Sequence, residues 1–328
     1  MGAVYEIRDL RVEARLHDRS QVIVEGLDLD IHPGEIVGIV GESGSGKTTL
    51  VRSLVGLLDR NVSVVGGEVS LLGRRILAPG HDASRRVRGH DVGMVFQDAT
   101  RSLDPVFKVR SQMLEVLRRH RPELSRRERE ARMVEVLRRM KVADPKRVLD
   151  SYPHQLSGGL CQRVAIALAI VTEPKVVLAD ECTTALDVTT QAEVVALFRE
   201  LVAESGIALV FVSHDILLAA ELCDRVVVMY AGQAVESGPP ERVLKAPHHP
   251  YTAGLLAAVP GWESDAAFAG IPGSPPKVSA GTVGCRFADR CERAEPACVA
   301  SDVEWRAAPD GGGYRCLRPL ALPGRPEA

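Results

Sequence analysis

The segment GESGSGKT (41–48) has the residue types and spacing of a loop that binds phosphate. It fits the pattern G-x-x-x-x-G-K-[ST], and it stands between the apolar run IVGIV and a helical pattern, as such a loop requires. Glycines let backbone N–H groups turn toward phosphate oxygens, and the helix N-terminus adds partial positive charge. Lys47 can reach the outer phosphates of a nucleotide, and the Thr48 hydroxyl can ligate Mg²⁺. The predicted ATP-binding residues of this loop are Gly41, Glu42, Ser43, Gly44, Ser45, Gly46, Lys47, Thr48 and Thr49.

The segment VVLADE (176–181) places two carboxylates at the end of an apolar strand pattern. Ligands of α/β sheets bind at the carboxyl ends of the strands. Asp180 is therefore predicted to hold Mg²⁺, directly or through water, and Glu181 to orient and polarise an attacking water. An acidic pair at a strand end also serves as a helix cap, but a phosphate loop in the same chain favours the catalytic interpretation.

Three apolar runs must position these residues, namely IVGIV, VVLAD and ALVFVSH, and each is typical of a strand buried on both faces. Helical patterns such as TTLVRSLVGLL and QAEVVALFRELVAES alternate with them. This alternation predicts an α/β fold with a mostly parallel sheet. Residues 3–12 and 22–31 alternate in part between apolar and polar positions, which predicts strands of a half-exposed sheet.

The segment 102–150 has a different composition, because it is rich in Arg and Glu and has a helical pattern. The sequence SRRE (125–128) is a capping box that predicts a helix start. The apolar face predicted for that helix comprises Met133, Val134, Val136, Leu137 and Met140. We interpret 102–150 as a helical insert in the α/β core, and the proline-rich sequence from about 246 onward as a loop-rich tail.

The overall composition excludes several classes of protein. The 328 residues are 45% hydrophobic and 26% charged, and the net charge of −2 argues against a general nucleic-acid binder. The N-terminus has no signal-peptide pattern, and the longest apolar run, VAIALAIV, is far shorter than the roughly 20 residues that span a bilayer. We therefore expect a soluble protein with reduced cysteines, whose membrane work requires a partner.

The segment LSGGLCQR (156–163) resembles the signature motif of ATP-binding cassette (ABC) proteins. The order of the motifs also resembles theirs, with the phosphate loop, Gln97 after VGMVF, the signature, the acidic strand, ALD (185–187) and His214. This resemblance implies a RecA-like phosphate-loop ATPase core with an N-terminal antiparallel β part, a helical subdomain insert and a loop-rich C-terminal extension. It implies a nucleotide-binding domain at 1–245, with its helical subdomain at about 98–160, and an extension at 246–328.

The resemblance also implies roles for individual residues, because two cassettes of this family bind ATP between the phosphate loop of one and the signature of the other. Gln97 would sense Mg²⁺ and the attacking water, His214 would contact the γ-phosphate, and Asp187 would cross the dimer interface. The Ser–Gly–Gly turn would offer N–H donors to the partner's γ-phosphate. The signature residues in that role are Ser157, Gly158 and Gly159. The implied catalytic set is Glu181, His214, Gln97 and Lys47.

Further segments resemble cassettes of oligopeptide, dipeptide and nickel importers, namely FQDATRSLDP, YPHQLSGG, HHPYTAGLLAAVP and GCRFADRC. This implies an ATP-hydrolysing subunit at the cytoplasmic face of the cell membrane. Its partners would be a second cassette, in a heterodimer, two transmembrane permease subunits and an external solute-binding protein. Two alternatives stay open: a cassette of a soluble assembly such as the phosphonate-cleaving lyase complex, and a redox-sensing regulator that binds ATP. The specificity for the solute would lie in the membrane and binding-protein subunits.

Three features depart from the family pattern. Ala14, next to Arg15, stands where an adenine-stacking aromatic is usual, although Arg15 could cover the base by a cation–π contact. Leu160 and Cys161 follow the Ser–Gly–Gly turn, and Cys182 follows the catalytic glutamate where proline is usual. Neither cysteine replaces a phosphate contact, so we expect ATPase activity to survive. We interpret both as small buried thiols rather than redox groups.

Four cysteines gather in the tail with the spacing C-x5-C-x6-C-x17-C. Disulfides are disfavoured in a reducing compartment, and zinc sites usually show closer pairs. A 4Fe–4S cluster tolerates wider spacing, and some of the importer cassettes that the tail resembles carry one, so a cluster is our preferred hypothesis, with Zn²⁺ or free thiols as alternatives. The residues concerned are Cys285, Cys291, Cys298 and Cys316, with Arg286, Arg290 and Arg293 offsetting thiolate charge or lying on a solvated surface. His248 and His249 are interpreted as a loop motif rather than metal ligands.

Overall fold

The computed structural model describes residues 2–16, 19–184, 186–259, 270–309 and 311–320. Its strands are β1 (Tyr5–Leu16), β2 (Arg19–Ile31), β3 (Ile36–Val40), β4 (Val62–Leu71), β5 (Arg74–Ala78), β6 (His81–Asp82), β7 (Val92–Val95), β8 (Val176–Asp180), β9 (Ala208–Ser213), β10 (Arg225–Tyr230), β11 (Gln233–Gly238), β12 (Arg306–Ala307) and β13 (Gly313–Tyr314). Its α-helices are α1 (Lys47–Leu54), α2 (Ala99–Ser102), α3 (Val109–His120), α4 (Arg126–Arg139), α5 (Pro145–Asp150), α6 (Gly158–Ile170), α7 (Val188–Ser205), α8 (Ile216–Leu222), α9 (Pro240–Lys245), α10 (Pro250–Ala257) and α11 (Pro296–Ala300).

The chain packs as two compact units. The first contains Ile31–Ile36 and Ala83–Val212 together with the first residues of the chain. The second contains Tyr5–Asp30, Val37–Asp82 and Ser213–Ala328. The mixture of sheets and helices confirms the α/β class predicted from the alternating apolar runs.

The first unit is built on three parallel strands, β7, β8 and β9, in that order. Every residue of β8 and β9 is buried, which explains why their sequences are continuous apolar runs rather than alternating ones. Helices α3, α4 and α5 form the predicted helical insert, and they contact one another. These parallel strands bring their carboxyl ends to one edge of the sheet.

The start of α4 follows the predicted capping box. The N–H of Ser125 donates to Glu128 Oε2 at 2.7 Å, and the N–H of Glu128 donates to Ser125 Oγ at 3.3 Å. The predicted apolar face is buried at Met133, Val136, Leu137 and Met140, whereas Val134 is half-buried at its margin. The cap and the apolar stripe therefore define this helix from local sequence alone.

The second unit contains an antiparallel sheet of β2, β1, β4, β5 and β6 in spatial order. It also contains β3 paired in parallel with β10, which pairs antiparallel with β11. The short strands β12 and β13 extend this arrangement at β11. All five residues of β3 are buried, and the strand leads directly into the predicted phosphate loop. Among the helices of the described ranges, none combines the length and the apolar character needed to cross a membrane.

A buried carboxylate, Glu236 on β11, anchors the start of the C-terminal extension. It accepts hydrogen bonds from the backbone N–H groups of His248 at 2.8 Å and His249 at 3.0 Å, and it forms an ion pair with the buried Arg242. Burial alone would raise the pKa of Glu236, but its hydrogen bonds from His248 and His249 leave that pKa below its usual value. The carboxylate is therefore charged, and it holds the extension through charge-assisted hydrogen bonds.

Replacing Glu236 with Gln is expected to lower the free energy of unfolding by about 3 kcal/mol, because the Arg242 charge would stay buried without its counter-charge. Urea unfolding of the full-length chain measures this loss. Glu241→Gln is the matched control, since Glu241 is exposed and forms a surface pair with Lys245 at 2.8 Å. Equal midpoints for the two variants would contradict the anchoring role of Glu236.

Candidate functional site

The phosphate loop lies between β3 and α1 in the second unit. Gly44 and Gly46 adopt φ values of 81° and 98°, which favour glycine. A Cβ atom at Gly46 would lie 2.5 Å from the carbonyl oxygen of Ile23, so this position excludes every side chain. The Lys47 side chain is buried, and its Nζ donates to the carbonyl oxygens of Gly41 at 2.8 Å and Glu42 at 3.0 Å. The loop therefore holds an ammonium group within a cradle of backbone atoms, which suits a phosphate ligand.

The acidic end of β8 lies in the first unit. Asp180 is buried as the last residue of the strand, and Glu181 follows in a half-buried position with φ of 45°. Gln97 comes just after β7, and its Nε2 donates to Glu181 Oε2 at 3.3 Å. Because β7 and β8 pair in parallel, their ends meet, and the structure brings Gln97 and Glu181 together. Their groups can jointly orient a water molecule for attack on a phosphate.

The signature segment begins α6 in the first unit. Ser157 is the N-cap residue, and its Oγ accepts from the N–H of Leu160 at 3.4 Å. Ser157 and Gly158 are exposed, so the first turn of this long helix presents its N-terminus to the surroundings. Such a terminus attracts an anion through its N–H groups and its dipole.

Asp187 of the ALD motif and the downstream His214 occupy exposed positions. Asp187 caps α7, where its carboxylate accepts from Thr190 N at 3.0 Å and Thr190 Oγ1 at 2.7 Å, and these bonds lower its pKa. The next residue, Val188, is 82% exposed. His214, which belongs to the second unit, is also exposed. Ala185 and Pro260, which belong to the quoted motifs, lie outside the described residues.

The next residues are those at which the sequence departs from the family pattern. Ala14 is buried on β1, whereas Arg15 next to it is exposed, so the arginine side chain is accessible to a base. Cys161 and Cys182 are both buried, and burial raises the pKa of each thiol, in the case of Cys182 to about 12. Thiols with such pKa values react poorly, in agreement with their interpretation as small packing groups.

The four tail cysteines line one small cavity, together with His249 and Arg293. All seven cysteines of the chain are free thiols, and burial raises the pKa of Cys285 and Cys291, and that of Cys316 to about 11. In the described part of the chain, no group of three or more His, Cys, Asp or Glu side chains is arranged to hold a metal ion. Four cysteine thiols are the donor set of an iron–sulfur cluster, but within the described residues these four are not arranged to hold a metal.

Two of the tail arginines do not lie where the sequence analysis expected them. Arg286 pairs with Glu25, and Arg290 pairs with Glu42 of the phosphate loop, so both guanidinium groups are neutralised by carboxylates rather than by thiolates. Only Arg293 of the three lines the cysteine cavity among the described residues. A contact between residues far apart in sequence leaves no local signal. Sequence reasoning therefore missed the contacts of Arg290 and Tyr251 with the phosphate loop.

The two histidines of the HHPY segment are internal groups of the second unit. The His248 ring approaches Arg242 Nη1 at 2.9 Å and stacks on Tyr314, while His249 Nδ1 accepts from the N–H of Tyr251 at 3.0 Å. Burial lowers the pKa of His249 to about 4, so its ring is neutral. His249 caps α10, so the two histidines lead into a helix, and the interpretation of the segment as a loop motif was wrong in this respect.

Two protein-family models match this sequence. The model described as ABC transporter matches residues 24–184, and the model described as oligopeptide/dipeptide transporter, C-terminal region, matches residues 235–298. Among curated proteins, a peptide import ATP-binding protein of Brucella ovis is 42% identical over 96% of this chain and 97% of its own length. A protein of the same description from Brucella abortus is 43% identical over 90% of this chain and 89% of its own length.

Solved structures with the same fold include a dimeric ATP-binding cassette in a post-hydrolysis state bound to ADP and Pi. It has a TM-score of 0.63 and 28% identity, and the match covers 72% of this chain and 98% of the cassette. A Clostridium perfringens protein that is part of the ABC transporter complex cbiONQ also has a TM-score of 0.63 and 28% identity, with 75% of this chain and 92% of that protein covered. Both neighbours confirm the predicted ATPase fold.

Proposed function

The chain belongs to the ABC transporter ATPase family, and from that premise we propose that it powers a multi-subunit importer of peptides or a related small solute. It binds and hydrolyses ATP, as its family does. The observation that carries the peptide assignment is the match of residues 235–298 to the C-terminal region of oligopeptide/dipeptide transporters, in the same chain as the phosphate loop. We also propose that the nucleotide-binding domain comprises residues 1–245, with its helical subdomain at about 98–160. Residues 246–328 form the C-terminal extension.

We propose a role for each of the candidate residues in the two units. Lys47 binds the outer phosphates of ATP, and Thr48 and Asp180 hold the Mg²⁺ that neutralises phosphate charge when it is bound. Glu181 orients the attacking water with Gln97, whose amide already contacts the carboxylate at 3.3 Å. The exposed helix N-terminus at the signature binds the nucleotide of a second cassette, and His214 and Asp187 complete the set.

The remaining loop residues, Gly41, Glu42, Ser43, Gly44, Ser45, Gly46 and Thr49, form the cradle around the phosphates. Gly158 and Gly159 act with Ser157 at the partner's nucleotide.

A surface on the helical insert supports the proposal of membrane partners. The apolar side chains of Val106 and Phe107 are 70% and 54% exposed. Aromatic residues are few in this chain, so an exposed phenylalanine is notable. Phe107 also lines a groove with Gln112 and Arg119 on α3. Exposed apolar groups next to a groove mark a contact surface. We propose that two permease subunits dock here on the cytoplasmic face of the cell membrane, with a second cassette and an external solute-binding protein completing the complex.

The test is reconstitution with the permease and binding-protein subunits that co-purify with this chain in detergent. We expect ATP-dependent uptake of labelled di- and oligopeptides into proteoliposomes, and no uptake with a hydrolysis-deficient Glu181→Gln chain. Co-purification of the chain in detergent with soluble proteins alone would contradict the importer and favour a soluble assembly. ATP binding without turnover would instead favour the regulator.

We further propose that the four-cysteine segment holds a 4Fe–4S cluster of structural function. A short, loop-rich segment gains stability from such a cross-link, because its own apolar core is small. Protein purified without oxygen is expected to contain about four irons and four sulfides per chain. Cys291→Ser should lose both, whereas Cys161→Ser is the control, since the Cys161 thiol donates to the Pro153 carbonyl at 3.5 Å and lies outside the tail. Zinc without iron would establish the zinc alternative, and metal-free protein with titratable thiols would contradict both metals.

A further inference from the structure

The C-terminal extension reaches the phosphate loop through one arginine. Arg290 ends the short 3₁₀ turn Ala288–Arg290, directly before Cys291. Its Nη1 donates to Glu42 Oε2 at 2.8 Å, and its Nη2 donates to Glu42 Oε1 at 3.0 Å. This is a bidentate ion pair with the second residue of the loop. Such pairs fix the relative orientation of the two side chains and also neutralise their charges. The arginine side chain is only 6% exposed and that of Glu42 is 26% exposed, so solvent screens the pair less than a surface pair.

The backbone of the same loop residue is held by the extension as well. The N–H of Glu42 donates to the Tyr251 hydroxyl at 2.8 Å. Tyr251 is buried, and its ring packs against Tyr230 and Phe287 with centroid distances of 4.5 and 5.4 Å. The extension therefore fixes both the main chain and the side chain of Glu42.

Arg290 is itself fixed from several sides. Its Nε donates to Pro272 O at 2.7 Å and its Nη2 donates to Ile271 O at 3.1 Å. Its guanidinium also lies over the ring of Tyr230, at 5.6 Å from the centroid. These contacts hold the guanidinium in one orientation, so a displacement of the turn before Cys291 would displace the group that restrains Glu42.

The charge of Glu42 explains why the loop requires this contact. A carboxylate within a loop that binds a triphosphate repels the ligand unless a cation neutralises it. Lys47 donates to backbone carbonyls of the loop, whereas the described ion pair of Glu42 is with Arg290. Arg290 thus removes an unfavourable charge from the phosphate site and keeps the carboxylate turned toward the extension.

We propose that Arg290 is a positioning residue for ATP binding, which acts through Glu42 and couples the four-cysteine segment to the nucleotide affinity of the phosphate loop. The inference rests on the proposed function only in requiring that the loop binds ATP. Because coupling of two equilibria is reciprocal, nucleotide binding also stabilises the turn before Cys291.

The first test is equilibrium titration of the full-length chain with a fluorescent ATP analogue. Arg290→Ala is expected to weaken binding about 5- to 50-fold, within the range of typical coupling between sites. The affinity of the Arg290→Lys variant should lie between those of the wild type and Arg290→Ala, because an ammonium restores the charge but not the bidentate geometry. In a Glu42→Gln background, the effect of Arg290→Ala should shrink to less than about twofold, since its partner charge is gone. The matched control is Arg306→Ala, an exposed arginine of the same extension.

A purely structural role of Arg290 predicts different results. It would lower the affinity equally in both Glu42 backgrounds, and that outcome overturns the proposal. Steady-state kinetics separate the two further, because positioning for binding raises KM for ATP by the same factor while kcat at saturating ATP changes by less than about twofold. Circular dichroism and urea midpoints verify that each variant is folded.

The second test measures the reverse direction of coupling by amide hydrogen exchange of the segment 284–298 in the full-length chain. A non-hydrolysable ATP analogue is expected to slow exchange there about fivefold or more in the wild type and to have no such effect in Arg290→Ala. If the wild type binds the nucleotide but amide exchange in this segment does not change, the coupling proposal is overturned while the proposed function stands. Absence of nucleotide binding by the wild type overturns the proposed function and, with it, this inference.

Discussion

Replacement of Glu181 by Gln is expected to lower the rate of ATP hydrolysis at saturating ATP by about 10³-fold, because a positioned general base contributes about 10²–10⁴. The substitution keeps the size of the side chain and its ability to accept from Gln97 Nε2, so the fold and the local geometry are preserved. What is removed is the charge that polarises the attacking water. Phosphate release measured against ATP concentration gives the change in kcat.

The binding of ATP should persist in this variant, since Glu181 is proposed to act on water and not on the nucleotide. Glu200→Gln on α7 is the matched control, because Glu200 is an exposed carboxylate that pairs with Lys141 at 2.6 Å. It should leave turnover unchanged. A Glu181→Gln chain that hydrolyses ATP within tenfold of the wild-type rate would contradict the catalytic assignment.

Replacement of Lys47 by Ala is expected to weaken ATP binding about 100-fold or more, because each hydrogen bond to a charged group is worth about 1.5–3 kcal/mol. The Lys47 ammonium already lies within the loop on the carbonyls of Gly41 and Glu42, and phosphate oxygens would replace or join these acceptors. Isothermal titration with ATP and Mg²⁺ measures the affinity.

Lys245→Ala provides the comparison for this experiment, since Lys245 is an exposed lysine of the same unit that pairs with Glu241. Its affinity for ATP should equal that of the wild type. Nucleotide binding retained by Lys47→Ala to within threefold would contradict the phosphate-loop assignment.

Local signals predicted the elements that carry the candidate residues in each unit. The strands β3 and β8 follow continuous apolar runs because both of their faces are covered, and the start of α4 follows a capping box. Gln97 and Glu181 were predicted for one site from the motif order, and parallel pairing of β7 with β8 brings them together. For the two strands and the start of α4, the determining interaction is short in sequence or repeated along an element.

The contacts of the tail could not be predicted in this way. Arg290 was expected near thiolates because cysteines flank it in sequence, yet its carboxylate partner lies 248 residues away. The strand β13 has only two residues, too few for any periodic pattern to indicate it. Glu236 gave no sign of burial, because a glutamate in a strand is ordinarily exposed and only tertiary packing supplies its partners.

The separation of 248 residues between Glu42 and Arg290 also has a consequence for biosynthesis. At a translation rate of about 5–20 residues per second, the ribosome needs roughly 12–50 s after it has made the phosphate loop before it adds the arginine that completes it. A nascent chain therefore carries its nucleotide loop without this contact while these 248 residues are added. Full nucleotide affinity is acquired only when the extension has left the ribosome and folded back, so that cassettes interrupted before this point are poor competitors for cellular ATP.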